Sequence, residues 1–419
     1  MTTWSGAVVG LLGLMASPLV LVTGPAPRDT EAARWQAPCS ANARYSGPPQ
    51  RAAPAAVWER DFARPVDGAL PDRLVVALDR TLDGILARVP AASVAVAIPG
   101  QGVWSRTRGL ARRDPPAPVV EGQRFQAAST TKTFTASVVL QLVQEGRLRL
   151  DETVDRWFPS VPNARVTTID MLLRHQSGLV SFNALPSLGP QYRTAAEVIA
   201  LAAEQPPQFC PGTAWAYTNT GYAMLGVIVE RIEGAPLHEV FARRLVGPLG
   251  LVDTVLRRPG DGVAVVTGHA SGRPVQVDDD YGTAWAAGGL ATTAVDLVRF
   301  WHALLSGRVL PAPIVRAMFT AMSRMVPDGQ MFYGRGVQLY DVPGGPGLMF
   351  GHSGGIAGFT SVTAYVAADD LYVAVLFNDK DVPAEAGLWA LVRAVREYRA
   401  STGGLEPGIG RPELPMPPE

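Results

Sequence analysis

Residues 359–377 read FTSVTAYVAADDLYVAVLF. Two runs rich in β-branched and aromatic residues, Phe359–Ala367 and Leu371–Phe377, flank Ala368-Asp369-Asp370, the pattern of two antiparallel strands around a short turn. A second such pair lies near the other end of the chain: Ser93–Ile98 and Val103–Thr107, split by Pro99-Gly100-Gln101-Gly102. Just before that pair, Pro71–Val89 carries Leu74, Leu78, Leu82, Ile85 and Val89 at helical spacing. Between the two strand pairs the signal is mostly helical. Phe134–Gln144, Thr167–Arg174, Ala195–Glu204, Gly221–Ile232 and Leu237–Leu245 are candidate helices separated by Pro and Gly loops. Ala384–Tyr398 reads as a closing helix. Strands at both ends with helices between them predict an α/β fold. One antiparallel sheet is built from N- and C-terminal segments and flanked by helices, with an α-helical lobe inserted over about 134–280. A cleft between the lobes is the expected place for a site.

The composition supports a packed domain: of 419 residues, 47% are hydrophobic and 18% charged. Formal net charge is zero, so there is no electrostatic footprint for nucleic acid. No Cys/His spacing resembles a zinc site. The apolar stretch Gly6–Val22 predicts a signal peptide or N-terminal anchor over 1–26, hence an exported protein with possible membrane association at that end. A Pro/Ala-rich linker is expected over 27–66, the main domain over 67–400 and a disordered tail over 401–419. Cys39 and Cys210 form one disulfide or remain two thiols; the sequence leaves both open.

Basic residues are nearly all arginine; the only lysines are Lys132 and Lys380. Lys132 closes Ser129-Thr130-Thr131-Lys132, ahead of a helix that reads as amphipathic. A spacing of three puts both side chains on one helical face. A lysine buried there sits neutral and accepts the serine proton; otherwise the serine caps the helix and the lysine is solvated. Tyr217-Thr218-Asn219 precedes the Gly221–Ile232 helix. A phenol near Lys132 can pass a proton to a leaving group, and the Asn219 amide can hold a substrate amide by donor and acceptor together. Gly351-His352-Ser353-Gly354-Gly355 precedes a strand-like run, where glycines let a substrate approach the backbone and an N–H forms half of an oxyanion hole.

That last segment also fits G-x-S-x-G, which would make Ser353 the nucleophile of an α/β-hydrolase. Two features oppose this. The run after Ser353 is strand-like rather than helical, and His352 is the last histidine, so no base comes after the serine in the required order.

Together, and in this order, these segments resemble the penicillin-recognising serine hydrolases. That family includes class C β-lactamases, soluble D-alanyl-D-alanine carboxypeptidases, D-amino-acid peptidases and related esterases. The resemblance runs from about Leu74 to Tyr398. Leu172-Leu173-Arg174-His175-Gln176-Ser177-Gly178-Leu179, Ala287-Gly288-Gly289-Leu290 and Gln144-Glu145-Gly146-Arg147-Leu148 add to it. It implies a β-lactamase/transpeptidase-like fold. It implies Ser129 as nucleophile, Lys132 and Tyr217 as proton carriers, and Asn219, His352, Ser353 and Gly354 as substrate contacts. The N–H groups of Ser129 and Gly355 would form the oxyanion hole. No metal or cofactor is implied. His175 is expected to order its loop.

The function so implied is acyl transfer through Ser129, of the D-alanyl-D-alanine carboxypeptidase or D-amino-acid peptidase type, on a small peptide or ester, with β-lactams as covalent ligands. Esterase, β-lactamase, transpeptidase or cyclase, and a sensor that acylates once, remain alternatives. One position departs from the carboxypeptidase pattern. The arginine expected after Tyr333-Gly334-Arg335-Gly336 is replaced by Gln338, which lacks the charged fork that binds a terminal carboxylate.

Overall fold

The structure is a computed structural model that describes residues 39–403, apart from 42, 190, 276–279 and 328. Residues 1–38 and 404–419, where the signal or anchor, the first part of the linker and most of the tail are expected, lie outside the described residues.

Ten strands form one sheet. In chain order they are β1 (Gln50–Arg51), β2 (Ala91–Ile98), β3 (Gly102–Arg112), β4 (Ala117–Pro118), β5 (Met322–Arg324), β6 (Met331–Tyr333), β7 (Gln338–Val342), β8 (Gly347–Ile356), β9 (Phe359–Val366) and β10 (Leu371–Phe377). Their spatial order is β1-β5-β6-β7-β8-β9-β10-β2-β3-β4, and neighbours run antiparallel. The join between the chain's two ends is β10 on β2, with Ala374 opposite Ala95 and Phe377 opposite Ala92.

Both faces of this join are covered, which is why its strands read as continuous apolar runs rather than as alternating ones. Along β2 and β10, Val94, Val96, Val373 and Val375 face helices α1 (Asp72–Leu86) and α7 (Ala384–Ser401), packing with Leu74, Leu78, Leu82, Leu388 and Leu391. The residues between them, Ala95, Ala97, Ala374 and Leu376, belong to a second core shared with the helical lobe. Helix α6 (Ala294–Leu305) covers that second face with Phe300 and Trp301.

The lobe contains α2 (Thr131–Gln144), α3 (Ile169–Leu173), α4 (Ala195–Ala203) and α5 (Asn219–Glu233). Helix α2 departs from the expected amphipathic form. Every residue from Thr131 to Leu140 is buried, so it is a central strut enclosed on all sides. Its polar side chains are paired inward: Thr133 Oγ1 donates to Gly336 O at 2.8 Å and Thr135 Oγ1 to Ala286 O at 2.7 Å.

The expected linker also needs correction over its described part. Cys39 is disulfide-bonded to Cys210, the Ser46 amide donates to Thr213 O, β1 pairs with β5, and Val57 is buried. Proline and alanine there make a strap against the body. Among the described residues no helix is long and apolar enough to cross a membrane.

Candidate active site

The turn that carries Ser129 is held from three directions. Ser129 lies in a 3₁₀ turn, Ala128–Thr130, one residue ahead of α2. Ala128 before it has φ +50°, a left-handed conformation costly for a residue with a Cβ. Fixed partners hold it there. Ala127 N donates to Leu290 O at 2.8 Å, Ser361 Oγ on β9 donates to Ala127 O at 2.6 Å, and Thr131 Oγ1 donates to Ala128 O at 2.7 Å. The same Thr131 hydroxyl accepts the Leu290 amide at 3.0 Å.

Lys132, one turn along, is fully buried. Its Nζ lies 3.2 Å from Ser129 Oγ, 2.7 Å from Asn219 Oδ1 and 2.7 Å from Ala287 O. Burial holds its pKa well below the ordinary lysine value. Tyr217 brings its ring to 4.8 Å from Nζ. The Tyr217 hydroxyl is buried and makes no well-formed hydrogen bond among the described residues, although the Ser129 side chain favours its ionised form. Burial outweighs that influence and raises the phenol's pKa, so it stays protonated. His175 orders this loop: its Nδ1 accepts the Thr218 amide at 3.2 Å, and its ring lies 4.2 Å from that of Tyr217.

Ser129, Tyr217, Asn219, Ser353, Gly354 and Gly355 all line one cavity of about 630 Å³. The structure therefore brings together every expected site residue except two: Lys132 sits under the floor beside Ser129, and His352 lies behind the wall. His352 is fully buried, with Nε2 3.1 Å from Tyr333 Oη and Nδ1 2.6 Å from Ser353 O. Burial drives its pKa down to about 3, so the ring is neutral and offers no charge to a substrate. This corrects its expected role as a substrate contact. On a strand, neighbours face opposite ways, and the face of Ser353 is the one turned to the cavity.

Asn219 borders the cavity. It is the first residue of α5, with Thr218 as the cap. Its Oδ1 is taken by Lys132, and its Nδ2 donates to Asn183 Oδ1 at 2.8 Å. One N–H of Nδ2 and one lone pair of Oδ1 are thus used inside the protein, and the second of each stays available at the cavity. Gly354 is also used internally. A Cβ there would meet Ala127 O at 2.4 Å and Ser361 Oγ at 2.6 Å, so its bare backbone admits the nucleophile turn. Gly355 meets nothing within 4 Å and leaves the cavity open.

Gln338 opens β7, opposite Gly351 of β8. Its Oε1 accepts the Ser353 amide at 2.9 Å and Ser353 Oγ at 3.2 Å, and pairs closely with Tyr340 Oη. Arg335 is in the turn before β7 rather than on the strand, where it pairs with Asp170 and donates to Ala317 O at 2.6 Å. Three further contributors escaped the sequence reading. Ser361 carried no signal beyond its place in a strand, and Glu385, in the first turn of α7, none. Lys380 was marked by the rarity of lysine. Glu385 and Lys380 both line the cavity.

The comparisons with known proteins agree with this geometry. The family model described as Beta-lactamase matches residues 78–397. The chain belongs to the beta-lactamase family of serine hydrolases. Its beta-lactamase-family relatives include penicillin-binding protein 4 of Amycolatopsis lactamdurans, 29% identical over 313 residues that cover 69% of this chain and 81% of the relative. A D-aminopeptidase of Cereibacter sphaeroides is 27% identical over 344 residues, covering 79% of this chain and 65% of that protein. Among solved structures, D-amino acid amidase from Ochrobactrum anthropi, complexed with L-phenylalanine amide, superposes with a TM-score of 0.69 at 27% identity, over 78% of this chain and 99% of that one. Membership in the beta-lactamase family sets aside the α/β-hydrolase reading, and Ser353 on β8 is not at a strand-to-helix elbow.

Proposed function

We propose that the protein transfers the acyl group of a D-amino-acyl amide or ester through a covalent intermediate on Ser129. One observation carries this reading: the three neighbours of Lys132 Nζ. A neutral amine has two N–H bonds and one lone pair. Asn219 Oδ1 and Ala287 O, both at 2.7 Å, are acceptors and take the two hydrogens. The lone pair is left for the Ser129 hydroxyl at 3.2 Å. The lysine is thus poised to remove the serine proton as the oxygen attacks the acyl carbon. The protonated Tyr217 hydroxyl gives a proton to the departing amine or alkoxide and recovers one from Lys132. The amides of Ser129 and Gly355 are assigned to the developing oxyanion.

The substrate class rests on the D-aminopeptidase and D-amino acid amidase likenesses. β-Lactams are assigned as covalent ligands of the same serine. Free carboxylate termini are poor substrates in this reading, because Gln338 is committed to Ser353 and Arg335 to Asp170. The chain is assigned to an exported compartment. The Cys39–Cys210 disulfide supports that assignment, since such bonds persist mainly outside the reducing cytoplasm.

The test is intact mass after incubation with a penicillin, a fluorophosphonate, and matched D-amino acid amides, methyl esters and free-acid dipeptides. An adduct on Ser129 and turnover of amides or esters above free acids are expected. Labelling elsewhere refutes the nucleophile. A clear preference for free acids restores a carboxypeptidase assignment. Fractionation of the producing cell checks the compartment, and finding the whole chain in the cytoplasm overturns it.

A further inference from the structure

The wall of the cavity around Ser353 carries chemistry that acyl transfer by Ser129, Lys132 and Tyr217 does not use. Ser353, Gln338 and Glu385 line it together. Gln338 replaces the cationic side chain that a carboxylate-binding site requires, and its Oε1 is an acceptor fixed by the Ser353 amide. Glu385 adds a carboxylate whose ionised form is favoured by the Ser353 side chain. Among the described residues Glu385 has no ion-pair partner within 4 Å; the arginines that neutralise other acids of the protein are elsewhere. The wall therefore offers a hydroxyl and a carboxyl group without an ion-pair partner, Gln338 Oε1 being taken by Ser353 and Tyr340, where an anion-binding wall would present donors and a positive charge.

We propose that Glu385, with Ser353 beside it, forms a subsite for an ammonium group of the substrate. This deepens the acyl-transfer reading and rests on it. An ammonium is a compact donor of three hydrogen bonds, and a partly enclosed carboxylate beside a hydroxyl is its natural complement. Burial lifts the Glu385 pKa to about 7, and a bound cation draws the group back to its charged form. Lys380, the one cation among the lining residues, is exposed at the cavity edge. It is a solvated point charge rather than a planar fork, so it is the weaker determinant. The ammonium has two possible sources: the α-amino group of the acyl donor, or an amine that accepts the acyl group. In the second case the bound ammonium first gives one proton to the Glu385 carboxylate; the amine nitrogen then bonds to the acyl carbon, the Ser129 Oγ–acyl bond breaks, and a second nitrogen proton passes to Ser129 Oγ.

The experiment has two arms, each run on wild type and Glu385→Gln. The donor arm compares kcat/KM for D-phenylalanine amide and its N-acetyl derivative. The acceptor arm uses N-acetyl-D-phenylalanine methyl ester and measures acyl transfer against hydrolysis with added D-alaninamide, which reacts by aminolysis, or, as the uncharged acceptor, D-lactamide, which reacts through its hydroxyl. A preference for the ammonium compound of tenfold or more in one arm is expected, collapsing towards unity in Glu385→Gln; the arm that responds identifies the source. Two results overturn the proposal: no ammonium preference in either arm of the wild type, or one that survives in Glu385→Gln. A preference for a free-carboxylate dipeptide over its amide that is lost in Lys380→Ala also overturns it, in favour of an anion site at Lys380. Fluorophosphonate labelling of Ser129 in each protein reports the nucleophile separately. Wild type that fails to label refutes the acyl-enzyme reading rather than the subsite.

Discussion

Gly354 and Ser129 approach so closely that a Cβ on the glycine would stand 2.8 Å from the serine's amide nitrogen. The contact joins β8 to the nucleophile turn with no side chain between them. Gly354→Ala must push that turn away, since Ala127 O and Ser361 Oγ close off the other directions. Fluorophosphonate labelling of Ser129 is expected to slow by about 100-fold, as for loss of oxyanion alignment. Gly355→Ala, whose Cβ meets only open space, is expected to label normally and to change substrate preference. Equal labelling by both variants would show that the contact does not position the nucleophile.

Ser129→Ala is expected to abolish covalent labelling, and Ser353→Ala to retain it. The two serines lie in the same cavity, but Ser353 Oγ donates to Gln338 Oε1, whereas the buried Lys132 amine lies against Ser129. The reverse pattern, read by intact mass, would overturn the site assignment.

The proton path predicts non-additivity. Tyr217→Phe keeps the ring and is expected to lower turnover by roughly 100-fold or more. Asn219→Ala removes the acceptor of one Lys132 N–H, so the amine turns and its lone pair leaves Ser129. The double variant is expected to lose little beyond the worse single one. Fully multiplicative losses in kcat would mean the two residues act separately.

His352 predicts an acid limit to stability. Its pKa is about 3 when folded, against 6.5 for the free side chain. Between those values the unfolded chain binds a proton that the native one refuses. Stability is therefore intact above about pH 6.5 and falls as the pH drops towards 3, by up to about 1.4 kcal/mol per pH unit. Glu385, shifted upward, has the opposite sign below about pH 7, but it is common to wild type and variant. His352→Asn is expected to be less stable at pH 7 and to show a shallower acid slope in urea unfolding. An unchanged slope would mean that His352 is not buried neutral.

The disulfide spans 171 residues of sequence. Cys39→Ser with Cys210→Ser is expected to cost about 2–5 kcal/mol, seen as a lower Tm, while the Ser129 labelling rate stays near wild type. An unchanged Tm would mean the strap is held by β1 and Val57 alone.

The sheet was legible wherever apolar runs were long. Ser93–Ile98, Phe359–Ala367 and Leu371–Phe377 correspond closely to β2, β9 and β10. The strands β5, β6 and β7 were not recognised, being three to five residues long with polar members such as Gln338 and Asp341. In the site, the pairing of Ser129 with Lys132 followed from a spacing of three, whereas the partners of Asn219 depend on Ser181 and Asn183, which only tertiary contact brings near. Strand alternation alone would have separated His352 from Ser353. Nothing in the sequence points Glu385 at the cavity, because its position depends on where α7 begins relative to β8.

The seam between β2 and β10 gives synthesis of this chain an order. A nascent polypeptide ending near residue 350 already holds Ser129, Lys132 and Tyr217, yet lacks β9, whose Ser361 anchors the nucleophile turn, and β10, which covers β2. Until the last strands emerge, β2 is an open, apolar edge and the strained turn at Ala128 lacks the one of its ties that comes from Ser361. The site is thus complete only when the last strands are in place, and the open β2 edge makes the half-made chain prone to aggregation.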